Sequence, residues 1–285
     1  MKNYRNLFAL SFLGIATILT SCEKQDTNDD NSSITATEER SVSQDMLNKI
    51  EALAFNPAGA YYDEFLLPDG SYQTRIIVED DIALSEDYIN TMQLNGGVQS
   101  EQYRTSNLVS DGNITVLGYD AGSNALSTAN RTGLQFAVDN YNALNLDITM
   151  TLSFGSANFN DFDIVVYKNP VTEAEGGAGG SAGFPSNGRP NQFVQIYGLD
   201  NSSNNVNEHV IAHEIGHSIG FRHTDYFSRE SCGQNTNEGT AGVGAIHIPG
   251  TPTGYDAGSL MLACFGSNED GEFGEFDIVA LNYLY

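Results

Sequence analysis

One short string constrains this chain more than any other part of its sequence: HEIGHSIGFRHTD, from His213 to Asp225. His213 and His217 lie four residues apart, so on a helix their imidazoles project from one face and can bind a single zinc ion. Gly220 can adopt a left-handed conformation and end the helix, which lets the chain turn and bring in His223 as a third nitrogen ligand. The string therefore predicts a helix that ends sharply beside a metal site.

Glu214 decides between a catalytic and a purely structural metal site. Three neutral nitrogens leave a fourth position on the zinc for water, and Glu214 lies within reach of that position. Adding Gly220 and His223 to the five-residue core lowers the odds of a chance match by roughly two to three orders of magnitude. The string favours an enzyme, and the alternative is a surface protein that keeps zinc only for folding or binding.

The string is also the extended metzincin signature, H-E-x-x-H-x-x-G-x-x-H. With Phe184-Pro185 upstream and His-Thr-Asp at 223–225, the chain resembles the dual-action HEIGH metallopeptidases. The resemblance implies zinc ligation by the three histidines, with Glu214 as general base and then proton donor. It implies an α+β metzincin-like domain with a twisted, mostly parallel sheet, an antiparallel edge strand, an active-site helix, a Met-turn and a C-terminal helix. The expected activity is hydrolysis of peptide bonds in proteins or peptides by a zinc-activated water.

Further site residues follow from the same resemblance. Met261 is expected in the Met-turn. The alternative is that it is an ordinary core methionine. An edge strand that pairs antiparallel with a bound peptide is expected at five consecutive residues, with a flexible loop as the alternative. They are Gly180, Ser181, Ala182, Gly183 and Phe184. Ala263 stands where astacins and serralysins carry a tyrosine, so tyrosine-assisted stabilisation of the oxyanion is not expected.

Three polar residues near the motif are assigned other roles. His209 shares the helical face of His213, but three ligands along one straight helix cannot converge on a tetrahedral ion, so His209 is expected to be structural or solvent-facing. His247 is expected in a loop. Asp225 is expected to tie the metal-binding loop to neighbouring backbone.

The amino terminus predicts export. Lys2 and Arg5 precede an apolar run from Leu7 to Leu19 that is too short to span a bilayer comfortably, which is typical of a signal peptide over residues 1–21. The ending Leu-Thr-Ser-Cys resembles the lipobox of bacterial lipoproteins and implies that Cys22 is lipidated, with ordinary secretion as the alternative. We expect a lipid-anchored protein of the outer membrane or cell surface, released if a pro-segment is cleaved.

Two cysteines remain if Cys22 is lipidated. Cys232 and Cys264 are expected to form a disulfide, because an isolated pair in an exported protein is most simply a bridge. A nucleophilic or metal-binding cysteine is the alternative.

A tether and pro-segment are predicted over residues 22–105, ahead of a metallopeptidase domain over residues 106–285. The stretch from Val78 to Ile82, VEDDI, is similar to the astacin aspartate-switch motif F-x-G-D, with Val for Phe and Asp for Gly. The hypothesis is that Asp81, or else Asp80, occupies the fourth position on the zinc until the segment is cleaved. An acidic turn without that role is the alternative.

Hydrophobic periodicity predicts an α+β order of elements. Predicted strands span residues 71–78, 114–119, 148–154, 163–167 and 193–197. Predicted helices span residues 43–55, 128–144, 206–219 and 276–284, and Ser85 is expected to cap a further helical turn.

The charge balance excludes one class of partner. With 37 acidic against 12 basic residues the net charge is -25, so the chain lacks the cationic surface that nucleic-acid binding needs. The acidic residues between Asn268 and Asp277 are expected to form a solvated loop, with calcium binding as the alternative. The protein is expected to be monomeric.

Overall fold

The computed structural model of the chain describes residues 41–53, 55–91, 103–237 and 246–285. The predicted signal peptide, Cys22 and most of the tether lie outside the described residues, so those predictions stay predictions. Within the described ranges, none of the helices combines the length and apolar character needed to cross a bilayer.

Helices and strands follow the predicted order, with several short additions. In chain order they are α1 (Gln44–Ala52), β1 (Tyr61–Leu66), β2 (Tyr72–Val78), β3 (Ile82–Leu84), α2 (Glu86–Thr91), β4 (Tyr103–Arg104), β5 (Gly112–Tyr119), α3 (Thr128–Ala143), β6 (Ile148–Gly155), β7 (Ile164–Lys168), α4 (Pro170–Ala174), β8 (Gly179–Ser181), β9 (Phe193–Tyr197), α5 (Asn204–Ile219), β10 (Ile246–His247) and α6 (Glu275–Leu284). The four long predicted helices and the five predicted strands are confirmed to within about two residues at each end, apart from the C-terminal end of α1.

A five-stranded sheet forms the centre, in the order β6-β5-β7-β9-β8. The first four strands run parallel, and β8 pairs antiparallel with β9 at one edge. The side chains from Ile164 to Tyr167 are all buried, as expected for a parallel strand covered on both faces. The predicted mixed fold, with a mostly parallel sheet and an antiparallel edge strand, is confirmed.

Helices α3 and α5 cover one face of this sheet. Ile164 and Val166 share a hydrophobic core with both helices. The helices approach closely at Gly133, where an added Cβ would lie 2.5 Å from the Cβ of Asn207. Beside that contact, the buried Asn130 amide donates a hydrogen bond to the Asn207 side chain (2.6 Å).

The N-terminal segment, defined as residues 41–91, covers the other face. Its three strands form an antiparallel sheet in the order β1-β2-β3. Val165 and Tyr167 pack against Phe65 and Ile77 of that sheet, and the Tyr167 hydroxyl donates to the carbonyl oxygen of Leu66 (2.6 Å). The segment is therefore a layer of the fold, and it packs on apolar residues of the central sheet.

The helix contact at Gly133 gives a stability prediction. Gly133→Ala should lower the free energy of unfolding by about 1–3 kcal/mol, because the added methyl group overlaps the backbone and Cβ of Asn207. Chemical denaturation measures the change. Gly254→Ala is the matched control, since an added Cβ there meets nothing within 4 Å, and it should change the value by less than about 0.5 kcal/mol. Equal stability of the two variants would contradict the close packing.

Candidate metal centre

Helix α5 carries the first two histidines and ends where the motif predicts. The Ser203 side chain caps it by accepting a hydrogen bond from the amide of Val206 (3.2 Å). The helix ends at Gly220, whose φ of 123° would strain any other residue, and the Gly220 amide bonds to the carbonyl of His217 (2.9 Å). Beyond the turn, Thr105 and Tyr103 hold the loop through hydrogen bonds with Gly220 and Arg222.

Four side chains from distant parts of the chain meet at one point. His213, His217, His223 and Asp81 each direct one ligand atom into a group whose atoms all lie within 4.8 Å of one another. The Nε2 atoms of His217 and His223 are 3.3 Å apart, and an Asp81 carboxylate oxygen lies 3.0 Å from Nε2 of His223 and 3.9 Å from Nε2 of His213. This is the one such group among the residues that the structure describes.

The histidine rings are oriented with Nε2 towards the common point. Nδ1 of His213 lies 3.0 Å from the carbonyl oxygen of Leu260, and Nδ1 of His217 lies 2.8 Å from that of Phe221. A proton on Nδ1 satisfies each carbonyl and leaves the Nε2 lone pair free for a metal.

Burial keeps the rings of His213 and His217 neutral. It lowers the pKa of His213 to about 4, with a smaller contribution from His223, and lowers the pKa of His217 well below its usual value. Imidazole nitrogens and a carboxylate oxygen are donors that zinc prefers. The three histidines and Asp81 therefore fit a zinc ion.

Glu214 lies beside the four ligands. Its side chain is buried, and Oε2 has no hydrogen-bond partner among the described residues. Burial raises its pKa well above the usual range, and the nearby charge of Asp81 adds to the rise. Gly180 makes room for it, because an added Cβ at Gly180 would lie 2.6 Å from Cγ of Glu214. The unsatisfied oxygen is available to a group that enters the site.

Met261 lies directly against the metal-binding helix. An added Cβ at Gly216 would lie 2.5 Å from the Met261 sulfur, so this glycine permits the contact. The turn is fixed by Asp277, which accepts hydrogen bonds from the Ser259 hydroxyl and the Leu260 amide, both at 2.7 Å. Asp277, whose pKa burial raises to about 6, therefore supports the turn. Calcium binding by the remaining acidic residues of 268–277 stays a prediction.

Asp225 joins the loop after His223 to the Met261 turn. Its carboxylate is fully buried and accepts hydrogen bonds from the Ala263 amide (2.9 Å), the Ser231 amide (2.9 Å) and the Ser231 hydroxyl (2.6 Å). The disulfide between Cys232 and Cys264 links the same two loops. The predicted bridge is thus present, and the tie expected of Asp225 is observed.

The edge strand is shorter than the five residues predicted for it. Strand β8 ends at Ser181, and Ala182 exchanges main-chain hydrogen bonds with the N-terminal segment, to the oxygen of Asp81 (3.0 Å) and from the amide of Ala83 (2.8 Å). This bridge is parallel. Gly183 lies beyond β8, and Phe184 packs between Phe55 and His217 with ring centroids 5.4 Å from each.

A cleft of about 370 Å³ opens beside the metal ligands. Its wall includes Glu214, Gly180, Tyr197 and His209. His209 is buried and outside the ligand group, and burial lowers its pKa to about 4. His247, expected in a loop, lies in the short strand β10, paired with Tyr103 of β4.

Sequence reasoning missed a buried ion pair next to the site. Arg222 and Glu79 are both fully buried and their side chains meet at 2.6 Å, with the Arg222 guanidinium 5.0 Å from the Phe55 ring centroid. Arg222 lies inside the signature, where the neighbouring residues are buried. A buried charge needs a partner, so the position of Arg222 in the sequence could have predicted that an ion pair exists. No sequence pattern around Glu79, in the N-terminal segment, predicts that it is the partner.

The family model that matches this chain agrees with this site. A family model described as dual-action HEIGH metallo-peptidase matches residues 76–285, from within β2 to the end of the chain. Two solved structures of myroilysin match at 13% and 17% identity, covering 61% and 62% of this chain and 80% and 86% of theirs, each with a TM-score of 0.36. Those two values are too low to support an inference. A search of curated proteins found no match.

The Asp225 network gives a prediction for metal affinity. Asp225→Ala should weaken metal binding by roughly 10- to 100-fold, because the loop that carries His223 loses its link to the Met261 turn. Competition with a coloured chelator measures the affinity. Asp139→Ala, at an exposed position on α3, is the control and should leave the affinity unchanged. Equal affinities in the two variants would contradict a role for the network in holding the metal.

Proposed function

Because the chain belongs to the dual-action HEIGH metallo-peptidase family, we propose that it is an exported zinc endopeptidase made as a latent precursor. The observation that carries the proposal is the convergence of three buried histidines with Asp81 beside the buried Glu214. A protein that only binds zinc needs no unsatisfied carboxylate at its metal site. The site in this chain has one, because Oε2 of Glu214 has no partner among the described residues.

His213, His217 and His223 would hold the zinc ion through their Nε2 atoms. Bound zinc supplies Lewis acidity, which polarises a peptide carbonyl and lowers the pKa of water. Glu214 accepts the proton of the attacking water and then donates it to the leaving amine. Withdrawal of Asp81 removes a negative charge that raises the pKa of Glu214, so it favours the ionised form that acts as a base.

The substrate binds as an extended strand along Gly180 to Ala182, antiparallel to β8. The Tyr197 hydroxyl supports this edge by donating a hydrogen bond to the carbonyl oxygen of Gly180 (2.6 Å). Glycine at 180 permits both the close approach of Glu214 and the approach of a substrate backbone. Ala263 leaves the position of the metzincin tyrosine without a hydroxyl, so another group stabilises the oxyanion.

The N-terminal segment keeps the enzyme latent. Asp81 contacts the ligand histidines, and residues 81–83 occupy the edge at Ala182 in the parallel direction, opposite to a substrate. Two ion pairs fix this turn: Glu79 with Arg222 (2.6 Å) and Asp80 with Arg229 (3.1 Å). Latency ends when cleavage releases the turn from the cleft, and residues 22–105 constitute the tether and pro-segment.

Export and anchoring complete the proposal. The signal peptide directs the chain out of the cytoplasm, and lipid on Cys22 anchors it to the membrane until processing. The disulfide between Cys232 and Cys264 suits an oxidising compartment. The protein acts as a monomer on protein or peptide substrates.

The first test concerns catalysis. After proteolytic processing, the full-length chain should degrade a denatured protein, lose this activity to a chelator and regain it with zinc. Glu214→Gln should reduce kcat/KM by about 10²- to 10⁴-fold because it removes the base, while zinc content stays the same. Equal inertness of the wild type and the variant would favour a zinc-binding protein without turnover.

The second test concerns latency. Asp81→Ala in the unprocessed chain should raise peptide hydrolysis at least about tenfold, since the lost contact is charge-assisted. Asp87→Ala, an exposed acidic residue in the same segment, is the control. Latency retained unchanged by Asp81→Ala would show that Asp81 does not block the site.

A further inference from the structure

Arg229 is a cation in the wall of the same cleft as His213 and Glu214. Its side chain is nearly buried, and Nη2 lies 3.1 Å from a carboxylate oxygen of Asp80. Asp80 directly precedes Asp81. The N-terminal segment therefore places two adjacent carboxylates at the cleft, Asp81 against the ligand histidines and the largely exposed Asp80 against Arg229.

The region C-terminal to the N-terminal segment fixes Arg229 in this place. Its backbone has a left-handed φ of 50°, and its amide donates to the carbonyl oxygen of Asp225 (2.7 Å). Its guanidinium also contacts Cys232 (3.7 Å), whose disulfide partner Cys264 lies in the cleft wall. Its Nη1 also donates to the carbonyl oxygen of Glu79 (3.4 Å), a contact that is lost when the turn leaves. The backbone hydrogen bond and the Cys232 contact do not depend on the turn, so they keep Arg229 in the cleft wall.

The direction of the chains says which substrate residue meets Arg229. Residues 81–83 run parallel to the edge at Ala182, so Asp80 lies towards the Gly179 end of β8. A substrate that runs antiparallel to β8 directs its carboxyl-terminal half towards that same end. The scissile carbonyl has to reach the metal ligands that Asp81 contacts, so the residue after the scissile bond lies at the level of Asp80.

We propose that Arg229 forms the specificity pocket for an acidic side chain, aspartate or glutamate, in the residue directly after the scissile bond. The inference rests on the proposed peptidase function. A guanidinium in this cleft wall pairs best with a carboxylate, as it does with Asp80 here, because its planar fork matches two carboxylate oxygens, whereas an apolar or cationic side chain offers it no acceptor. The chain as a whole repels acidic peptides, with a net charge of -25, so a preference for them must come from a local cation.

Matched peptides test the inference by hydrolysis. The chain is expressed at full length, processed by proteolysis and loaded with zinc. It is then given peptides that differ only in having Asp or Asn directly after the scissile bond. Wild type should cleave the Asp peptide with a kcat/KM roughly 10- to 100-fold higher, the range expected of a charge-assisted contact. Arg229→Gln should abolish the difference while still cleaving the Asn peptide, and Arg229→Glu should reverse it in favour of the Asn peptide. Arg131→Gln is the control. It changes an arginine on α3 that pairs with Asp120, and it should keep the preference.

Peptide affinity provides an independent test. The processed Glu214→Gln protein, loaded with zinc, should bind a fluorescent Asp peptide roughly 10- to 100-fold more tightly than the Asn peptide. Adding Arg229→Gln to this protein should make the two affinities equal. Cleavage or binding without this difference, or a preference for acid before the scissile bond, overturns the assignment of Arg229 and leaves the peptidase standing. If neither peptide is bound or cleaved, both proposals fail.

Discussion

Three buried imidazoles that meet at one point are the constraint on which the rest of the site depends. The Nε2 atoms of His217 and His223 are only 3.3 Å apart, and a metal ion between them would satisfy both lone pairs at once. The neighbouring backbone serves the same end: carbonyls of Leu260 and Phe221 orient two rings, and Gly220 ends the helix so that the third can return. The Met261 turn, held by Asp277 and Asp225, packs against the metal-binding helix at Gly216.

The N-terminal segment contributes to the site and to the sheet at once. Its turn supplies Glu79 to the buried Arg222 and Asp81 to the histidines, and its strands cover Val165 and Tyr167. Complete loss of the segment would take the Glu79 carboxylate away from the buried Arg222 and expose an apolar sheet face, and both changes are costly. Release of the turn from the cleft therefore demands less of the fold than release of the whole segment.

Local signals predicted the regular elements and the metal ligands. Serine caps, buried β-branched strands and the histidine spacing each act within a few residues, which is why helix α5 and strand β9 appeared where expected. Strand β1 was missed because YYDEFL does not alternate, and β3 because it has three residues. The pairing of Glu79 with Arg222 spans 143 residues, and no local pattern encodes such a contact. At Asp81 the chain forms an acidic turn, with positive φ at Glu79 and Asp80, and this carboxylate contacts the histidines, while its occupation of the fourth zinc position stays a prediction.

Anomalous diffraction from crystals of the zinc-loaded, unprocessed chain, measured at the zinc edge, tests the central claim most directly. It should show one ion bound by Nε2 of His213, His217 and His223, with an Asp81 oxygen as the fourth ligand. An ion bound by the histidines while Asp81 points elsewhere would contradict latency through this residue. No ion at these histidines would contradict the metal centre itself.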